Sequence, residues 1–201
     1  MAVAGEPNLF CGHTVQGNPS LCYVADMQAI VDQVTHLANA FDARVQATPA
    51  DAWGNQSPCE EWTARDVVAH MSNNFNRMAG HDEPVVADDD IVQSWNQAKA
   101  RLEQRMTGDL SVEVPGPMGP MTMAQMLGRF ISTDILVHTF DLARATGGDE
   151  TLDQQAVSMA YSGLKPMGDA IRRPGSFGAA TPCPDDASEQ TQFLCHLGRP
   201  I

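Results

Sequence analysis

The segment from about residue 123 to 146 constrains the fold most, because it is the most apolar long stretch of the chain and yet contains Asp134 and His138. In a helix, residues four apart lie on one face. Burying a carboxylate beside Phe130 and Ile131 is costly unless something compensates its charge. The pattern therefore predicts a long helix with either an internal hydrogen-bonded Asp–His pair or two ligands of Zn²⁺, Ni²⁺ or Fe²⁺.

His70 is the candidate for a third ligand. Thr63 followed by Asp66 is typical of a helix N-terminus, and Asn74 lies one turn after His70 on the helix that follows. Three protein ligands with an open position are typical of catalytic metal sites, whereas structural zinc sites usually have four. The alternative is a hydrogen-bonded histidine of the core, and spacing alone leaves both interpretations open.

Composition limits the classes of partner. The chain has 201 residues and a formal net charge of −13, which argues against nucleic acid and anionic membranes. No apolar run reaches the roughly 20 residues of a membrane helix, and the first residues lack the features of a secretory signal. The five cysteines are scattered and odd in number, so we expect a reducing cytoplasm rather than a disulfide framework.

Hydrophobic periodicity predicts an all-α protein with one small β-hairpin. We expect residues 1–22 to form an irregular arm and residues 23–201 to form one helical-bundle domain. The predicted elements are helices at about 24–47, 64–79, 89–107, 123–146, 151–172 (kinked at Pro166) and 186–197, with a hairpin at about 110–121.

Two long motifs resemble a known family. The first runs from Ser57 to His70 (SPCEEWTARDVVAH) and the second from Asp134 to Gly147 (DILVHTFDLARATG), and the closing LGRP is similar to the family's usual end. They resemble the DinB-like metalloproteins, in the branch similar to the N-terminal domain of mycothiol-dependent maleylpyruvate isomerase from actinobacteria. The resemblance covers about residues 24–200.

The resemblance implies a four-helix bundle in down-up-up-down order with a divalent metal, most readily zinc, on His70, Asp134 and His138. The isomerase itself has Glu where this chain has Asp134, which is one methylene shorter. The isomerase also carries a C-terminal domain that a chain of 201 residues is too short to include in full. The specific isomerase reaction is therefore not implied.

The resulting hypothesis is a transferase or isomerase that uses a low-molecular-weight thiol such as mycothiol to attack a small electrophilic metabolite. The rivals are a non-catalytic metal- or ligand-binding bundle, as a monomer or homodimer, and a site without metal. Asn74 could contact substrate or be a solvated helix residue, and Asp141 could orient a ligand, although we favour a local pair with Arg144. Cys59 precedes a helix and could be reactive, but we favour a buried cysteine packed near Trp62.

Overall fold

The computed structural model describes residues 19–87, 90–117, 119–172 and 177–201, with side chains from Asp26 onward in the first helix. The main elements in chain order are α1 (Pro19–Ala47), α2 (Ala64–Met78), α3 (Ile91–Met106), β1 (Glu113–Val114), β2 (Met121–Thr122), α4 (Met123–Gln125), a π-helical turn (Met126–Ile131), α5 (Ser132–Thr146), α6 (Gln154–Leu164), a 3₁₀ segment (Lys165–Ile171) and α7 (Glu189–His196). The prediction of an all-α bundle with a small hairpin is confirmed.

Four helices form the bundle. α1 packs against α3 and α5, and α2 packs against the same two helices, so each helix of the bundle has two neighbours. α6 covers α5 and is itself covered by α7. β1 and β2 pair antiparallel, with Glu113 opposite Thr122. Among the described residues, no helix combines the length and the apolar character that crossing a bilayer requires.

The predicted arm falls mostly outside the described residues, which begin at residue 19. The backbone is helical from Pro19, so α1 begins earlier than the periodicity of the sequence indicated. The apolar positions whose helical spacing predicts this helix begin at Met27. The hairpin is shorter than predicted, at two residues in each strand.

Aromatic packing fills the centre of the bundle. Trp95 of α3 is fully buried and lies with its ring centroid 4.7 Å from that of Phe41 and 5.0 Å from that of Phe75. Its indole N–H donates to Asp42 Oδ1 at 2.9 Å, so the one polar atom of the ring is satisfied. This aromatic cluster joins α1, α2 and α3.

Two helix starts have a capping box, the predicted one at Thr63 and another at Thr122. Thr63 Oγ1 accepts from the Asp66 amide, and the Asp66 carboxylate accepts from the Thr63 amide at 2.8 Å. Thr122 and Gln125 make the corresponding pair. These boxes fix where α2 and the α4–α5 segment begin, and thereby which residues of those helices face the bundle.

The predicted helix at 123–146 differs from a regular α-helix in its second turn. Residues Met126–Ile131 are π-helical, and the Ser132 hydroxyl donates to the Leu127 carbonyl at 3.0 Å. Gly128 lies here against Ile30 of α1, at a distance where an added Cβ would meet the Ile30 side chain at 3.4 Å. A π turn rotates the residues that follow it relative to those before it. Asp134 follows this turn in the first turn of α5.

Candidate metal centre

Two neighbouring helices bring the three predicted ligands together. His70 lies on α2, and Asp134 and His138 lie on α5. His70 Nε2 is 3.3 Å from Asp134 Oδ2, and His138 Nε2 is 3.4 Å from Asp134 Oδ1. One ligand atom from each of the three residues lies within 4.8 Å of the others. The helical spacing predicted the Asp134–His138 contact, whereas the approach of His70 depends on how α2 packs against α5.

These distances suit a small divalent cation. Ligand atoms about 2.0–2.1 Å from a tetrahedral zinc ion stand about 3.3–3.4 Å from one another. The nitrogen–oxygen distances are of that size, with His70 facing Oδ2 of Asp134 and His138 facing Oδ1, and two imidazoles with one carboxylate form a donor set that zinc accepts. The side chains of His70 and Asp134 are 30% and 25% exposed, so the cluster is open on one side. The residues therefore fit a metal with an accessible position.

Asp141 fixes the orientation of the His138 ring. His138 Nδ1 is 2.9 Å from Asp141 Oδ2, and Asp141 is fully buried. An ionised carboxylate can only accept, so Nδ1 carries the proton and donates it. Nε2 is consequently the nitrogen that faces Asp134. The favoured pair of Asp141 with Arg144 is wrong, because Arg144 pairs with Glu150 at 2.7 Å, while Asp141 turns inward to His138 and Arg199.

Without a bound cation, the proton on His138 compensates the negative charge of the Asp134 carboxylate. Burial disfavours the imidazolium of His138, but the charge of Asp134 and hydrogen bonds with Asp134, Asp141 and Cys59 outweigh it and raise its pKa well above the ordinary 6.5. Burial would raise the pKa of Asp134, yet the charge of His138 and hydrogen bonds from both histidines lower it. A protonated Nε2 thus faces the Asp134 carboxylate, where a cation would take the place of the proton.

Asn74 occupies the open side of the cluster. Its amide nitrogen lies 2.6 Å from Asp134 Oδ2 and 2.9 Å from His70 Nε2. The Arg77 guanidinium donates to Asn74 Oδ1 at 3.4 Å. The interpretation of Asn74 as a solvated helix residue is therefore wrong: its amide touches two candidate ligands.

A cavity of about 330 Å³ opens beside His70. Besides His70, it is lined by Asn73, Asn74, Arg77 and the loop residues His81, Asp82, Glu83 and Pro84. Its walls are polar and carry both signs of charge. The volume is at the lower end of the range for small-molecule sites.

The sequence analysis did not identify Trp62 and Arg199 as residues of the site. The Trp62 ring centroid lies 4.6 Å from that of His70 and 5.6 Å from that of His138, so the indole covers both imidazoles. Arg199 donates to both carboxylate oxygens of Asp141, through Nε at 3.0 Å and Nη2 at 2.7 Å. Their positions in the sequence could have identified them, because Trp62 lies in the first family motif and Arg199 lies in the closing LGRP.

Cys59 is half-buried and contacts the same polar network. Its thiol donates to Asp141 Oδ2 at 3.3 Å, and its Sγ accepts from Arg199 Nη2 at 3.2 Å. The Trp62 amide donates to the Cys59 carbonyl at 2.9 Å, so the two residues share a turn, but Cys59 is only partly buried and is not the buried cysteine that we favoured. The surroundings of the sulfur are also ionic rather than apolar. Cys59, His138 and Asp141 form a second group with ligand-like spacing, but the Arg199 guanidinium beside it disfavours a cation there.

Comparison with known proteins gives one matching family and two relatives that are described as uncharacterized. Residues 34–88 match the family described as the mycothiol maleylpyruvate isomerase N-terminal domain. Two uncharacterized proteins of Mycobacterium tuberculosis, MT0763 and Rv0738, are each 30% identical over 171 residues, which is 81% of this chain and 93% of the relative. No solved structure matches the chain. The matched region includes α2 with His70, and the alignment with the relatives extends well beyond it.

Proposed function

The chain belongs to the family of the mycothiol maleylpyruvate isomerase N-terminal domain, and we propose that it binds one divalent cation through His70, Asp134 and His138 and acts on a small electrophilic metabolite with a low-molecular-weight thiol. Zinc is the first choice of metal, with nickel and iron as alternatives. The reaction class is transfer or isomerisation. Among the cysteines whose side chains the structure describes, Cys59, Cys183 and Cys195 are free thiols, which supports a reducing compartment such as the cytoplasm.

One observation carries the metal proposal: Asp141 holds the proton on Nδ1 of His138, so Nε2 points at Asp134 and completes a set of three donors with His70. A histidine whose second nitrogen is held by a carboxylate is the usual arrangement at zinc. A bound divalent cation would supply Lewis acidity, which keeps a coordinated thiol in its thiolate form near neutral pH.

The residues around the cluster support a place for the substrate. Asn74 lies between the cluster and the cavity, and its amide can turn from Asp134 to a polar group of a ligand. Arg77 lines the same cavity and carries a fixed positive charge that suits an anionic group. Trp62 covers the imidazoles and excludes water from that side of the cluster. These positions favour a bound molecule that is small and polar.

The internal compensation of the cluster favours one alternative, a bundle that binds a small ligand and catalyses nothing. Asp134 already has hydrogen-bonding partners in His70, His138 and Asn74, so no cation is needed to keep it buried. Such a protein would bind its ligand in the cavity beside His70 through Arg77 and Asn74.

The test has two steps. Protein purified without chelator is analysed for metals, and the metal-free protein is then titrated with Zn²⁺, Ni²⁺ and Fe²⁺ in turn. Close to one equivalent of bound metal is expected. If the protein binds none of the three metals, the metal site is refuted. The loaded protein is next incubated with mycothiol and a panel of electrophiles. Thiol consumption above that of the His70→Ala variant supports an enzyme, and metal binding without turnover supports the binding bundle.

A further inference from the structure

Arg199 reaches the candidate metal centre from the far end of the chain. It follows α7 in the C-terminal turn, whereas the candidate ligands lie on α2 and α5. Only 8% of Arg199 is exposed, and its partner Asp141 is fully buried. A buried guanidinium in this place needs an explanation, because taking two charges out of water is costly and rarely adds stability beyond that of an apolar pair.

The contact between the two residues fixes a plane. Arg199 Nε donates to Asp141 Oδ1 at 3.0 Å and Nη2 donates to Oδ2 at 2.7 Å, which is the two-point geometry of a guanidinium and a carboxylate. A carboxylate held by one bond can rotate, but one held at both oxygens cannot. Oδ2 is also the atom that accepts from His138 Nδ1 at 2.9 Å. The plane of Asp141 thus sets the rotation of the His138 ring.

The main chain around Arg199 is held in turn. The Arg199 amide donates to the Leu194 carbonyl at 2.9 Å, and Thr181 Oγ1 donates to the Arg199 carbonyl at 2.8 Å. Gly198 has a φ of +82°, and a Cβ there would stand 2.7 Å from the Ala179 carbonyl oxygen, so only glycine fits this turn. The main chain that carries the Arg199 guanidinium is therefore held in a fixed conformation.

We propose that Arg199 is a positioning residue of the metal centre: it locks the Asp141 carboxylate, Asp141 locks the His138 ring, and the C-terminal turn is thereby part of the site. The inference rests on the proposed function for its metal. The rival explanation is that Arg199 only neutralises the buried charge of Asp141. In that case the orientation of the His138 ring does not depend on the two-point contact.

A thermodynamic cycle separates these explanations. Zinc affinity is measured by chelator competition for the full chain, Arg199→Gln, Asp141→Asn and the double variant. Changing a partner of a ligating histidine typically lowers metal affinity about 10–100-fold. If Arg199 acts through Asp141, R199Q should therefore lower zinc affinity about tenfold in the wild-type background. In the D141N background the same substitution should lower it less than about twofold. Equal losses in both backgrounds, or no loss with R199Q, overturn the proposal.

Two further variants keep the test decisive. Arg144→Gln removes another arginine that contacts the C-terminal turn: Arg144 of α5 donates to the Pro200 carbonyl and pairs with Glu150, not with Asp141. It should leave zinc affinity unchanged. Arg199→Lys keeps the positive charge but cannot make the two-point contact with Asp141. It therefore tests the positioning role even if R199Q does not fold. A loss of zinc affinity with R199K that approaches the roughly tenfold lower end known for partners of metal ligands supports positioning, and wild-type affinity overturns it.

An NMR measurement reads the ring directly. In ¹⁵N-labelled zinc-loaded protein, the Nδ1–H signal of His138 should be sharp in the wild type and in R144Q, and shifted with faster water exchange in R199K. Unchanged signals in R199K overturn the proposal. If the wild-type protein binds no metal, the proposed function fails together with this inference. If D141N weakens zinc binding and R199Q does not, this inference alone fails.

Discussion

The aromatic cluster around Trp95 and the polar cluster around His138 share α2 and yet follow opposite rules. Trp95 packs on Phe41 and Phe75 and needs one hydrogen bond, to Asp42. His138 is almost as buried but has charged partners on both ring nitrogens, Asp134 and Asp141. Apolar packing of the first kind stabilises a fold. Buried charges of the second kind add little stability, which makes them a mark of function.

The largest loss of stability should come from the aromatic cluster. Trp95→Ala removes a fully buried side chain and leaves a cavity between three helices, so the free energy of unfolding should fall by about 3–5 kcal/mol. Urea denaturation followed by circular dichroism measures it. Trp62→Ala is the matched control, because that indole is only partly buried. A smaller loss for Trp95 than for Trp62 would contradict the division of roles.

His138→Ala should show the reverse behaviour. Removing one of three ligands should lower zinc affinity by more than about 100-fold, beyond the effect of changing a partner of a ligand, while helix content stays close to wild type. His36→Ala is the control, since His36 also pairs with an aspartate, Asp153, but is 65% exposed. Isothermal titration with zinc measures both variants. Wild-type affinity in the His138 variant would remove this residue from the site.

Sequence patterns predicted the elements of this fold better than its contacts. The helix starts at Thr63 and Thr122 follow from capping chemistry, which acts over three residues. The π turn at 126–131 was not predicted, because the hydrophobic periodicity of the segment does not distinguish a π turn from a regular α-helix. The same holds for Asp141: a residue three positions from both His138 and Arg144 can pair with either, and only Arg199, from the other end of the chain, decides.

The pH dependence of stability sharpens the comparison for the metal-free protein. The raised pKa of His138 stabilises the fold fully below its unfolded value of about 6.5, and this contribution is lost as the pH rises through the folded-state pKa. The lowered pKa of Asp134 acts at the other end, with stability lost as the pH falls below about 3.8. Metal-free protein should therefore become less stable above pH 6.5.

Zinc should reverse that trend. Because the cation takes the place of the proton on His138, zinc binds more tightly as the pH rises and the loaded protein gains stability over the same range. Thermal melts of both forms at pH 6, 7.5 and 9 measure the effect. The His36→Ala variant should follow the wild-type curves. Melting temperatures that vary identically with pH in both forms would show that zinc does not bind at His138.

The smallest effect concerns the length of one side chain. Asp134→Glu restores the carboxylate that the isomerase has, and it should cost less than about tenfold in zinc affinity, against more than about 100-fold for Asp134→Ala. The loss is not zero, because the Asn74 amide already lies 2.6 Å from Oδ2 and must move aside for the added methylene.

The matched control is Asp134→Asn, which keeps the shape of the aspartate and removes its charge. Its affinity should resemble that of the alanine variant if charge is what the metal requires. Chelator competition with all three variants ranks them. If Asp134→Glu is as weak as Asp134→Ala, the distance between α5 and α2 at His70 and Asp134 is too short for the longer residue. The metal site would then require aspartate, and the cluster of this chain would be adapted to the shorter side chain.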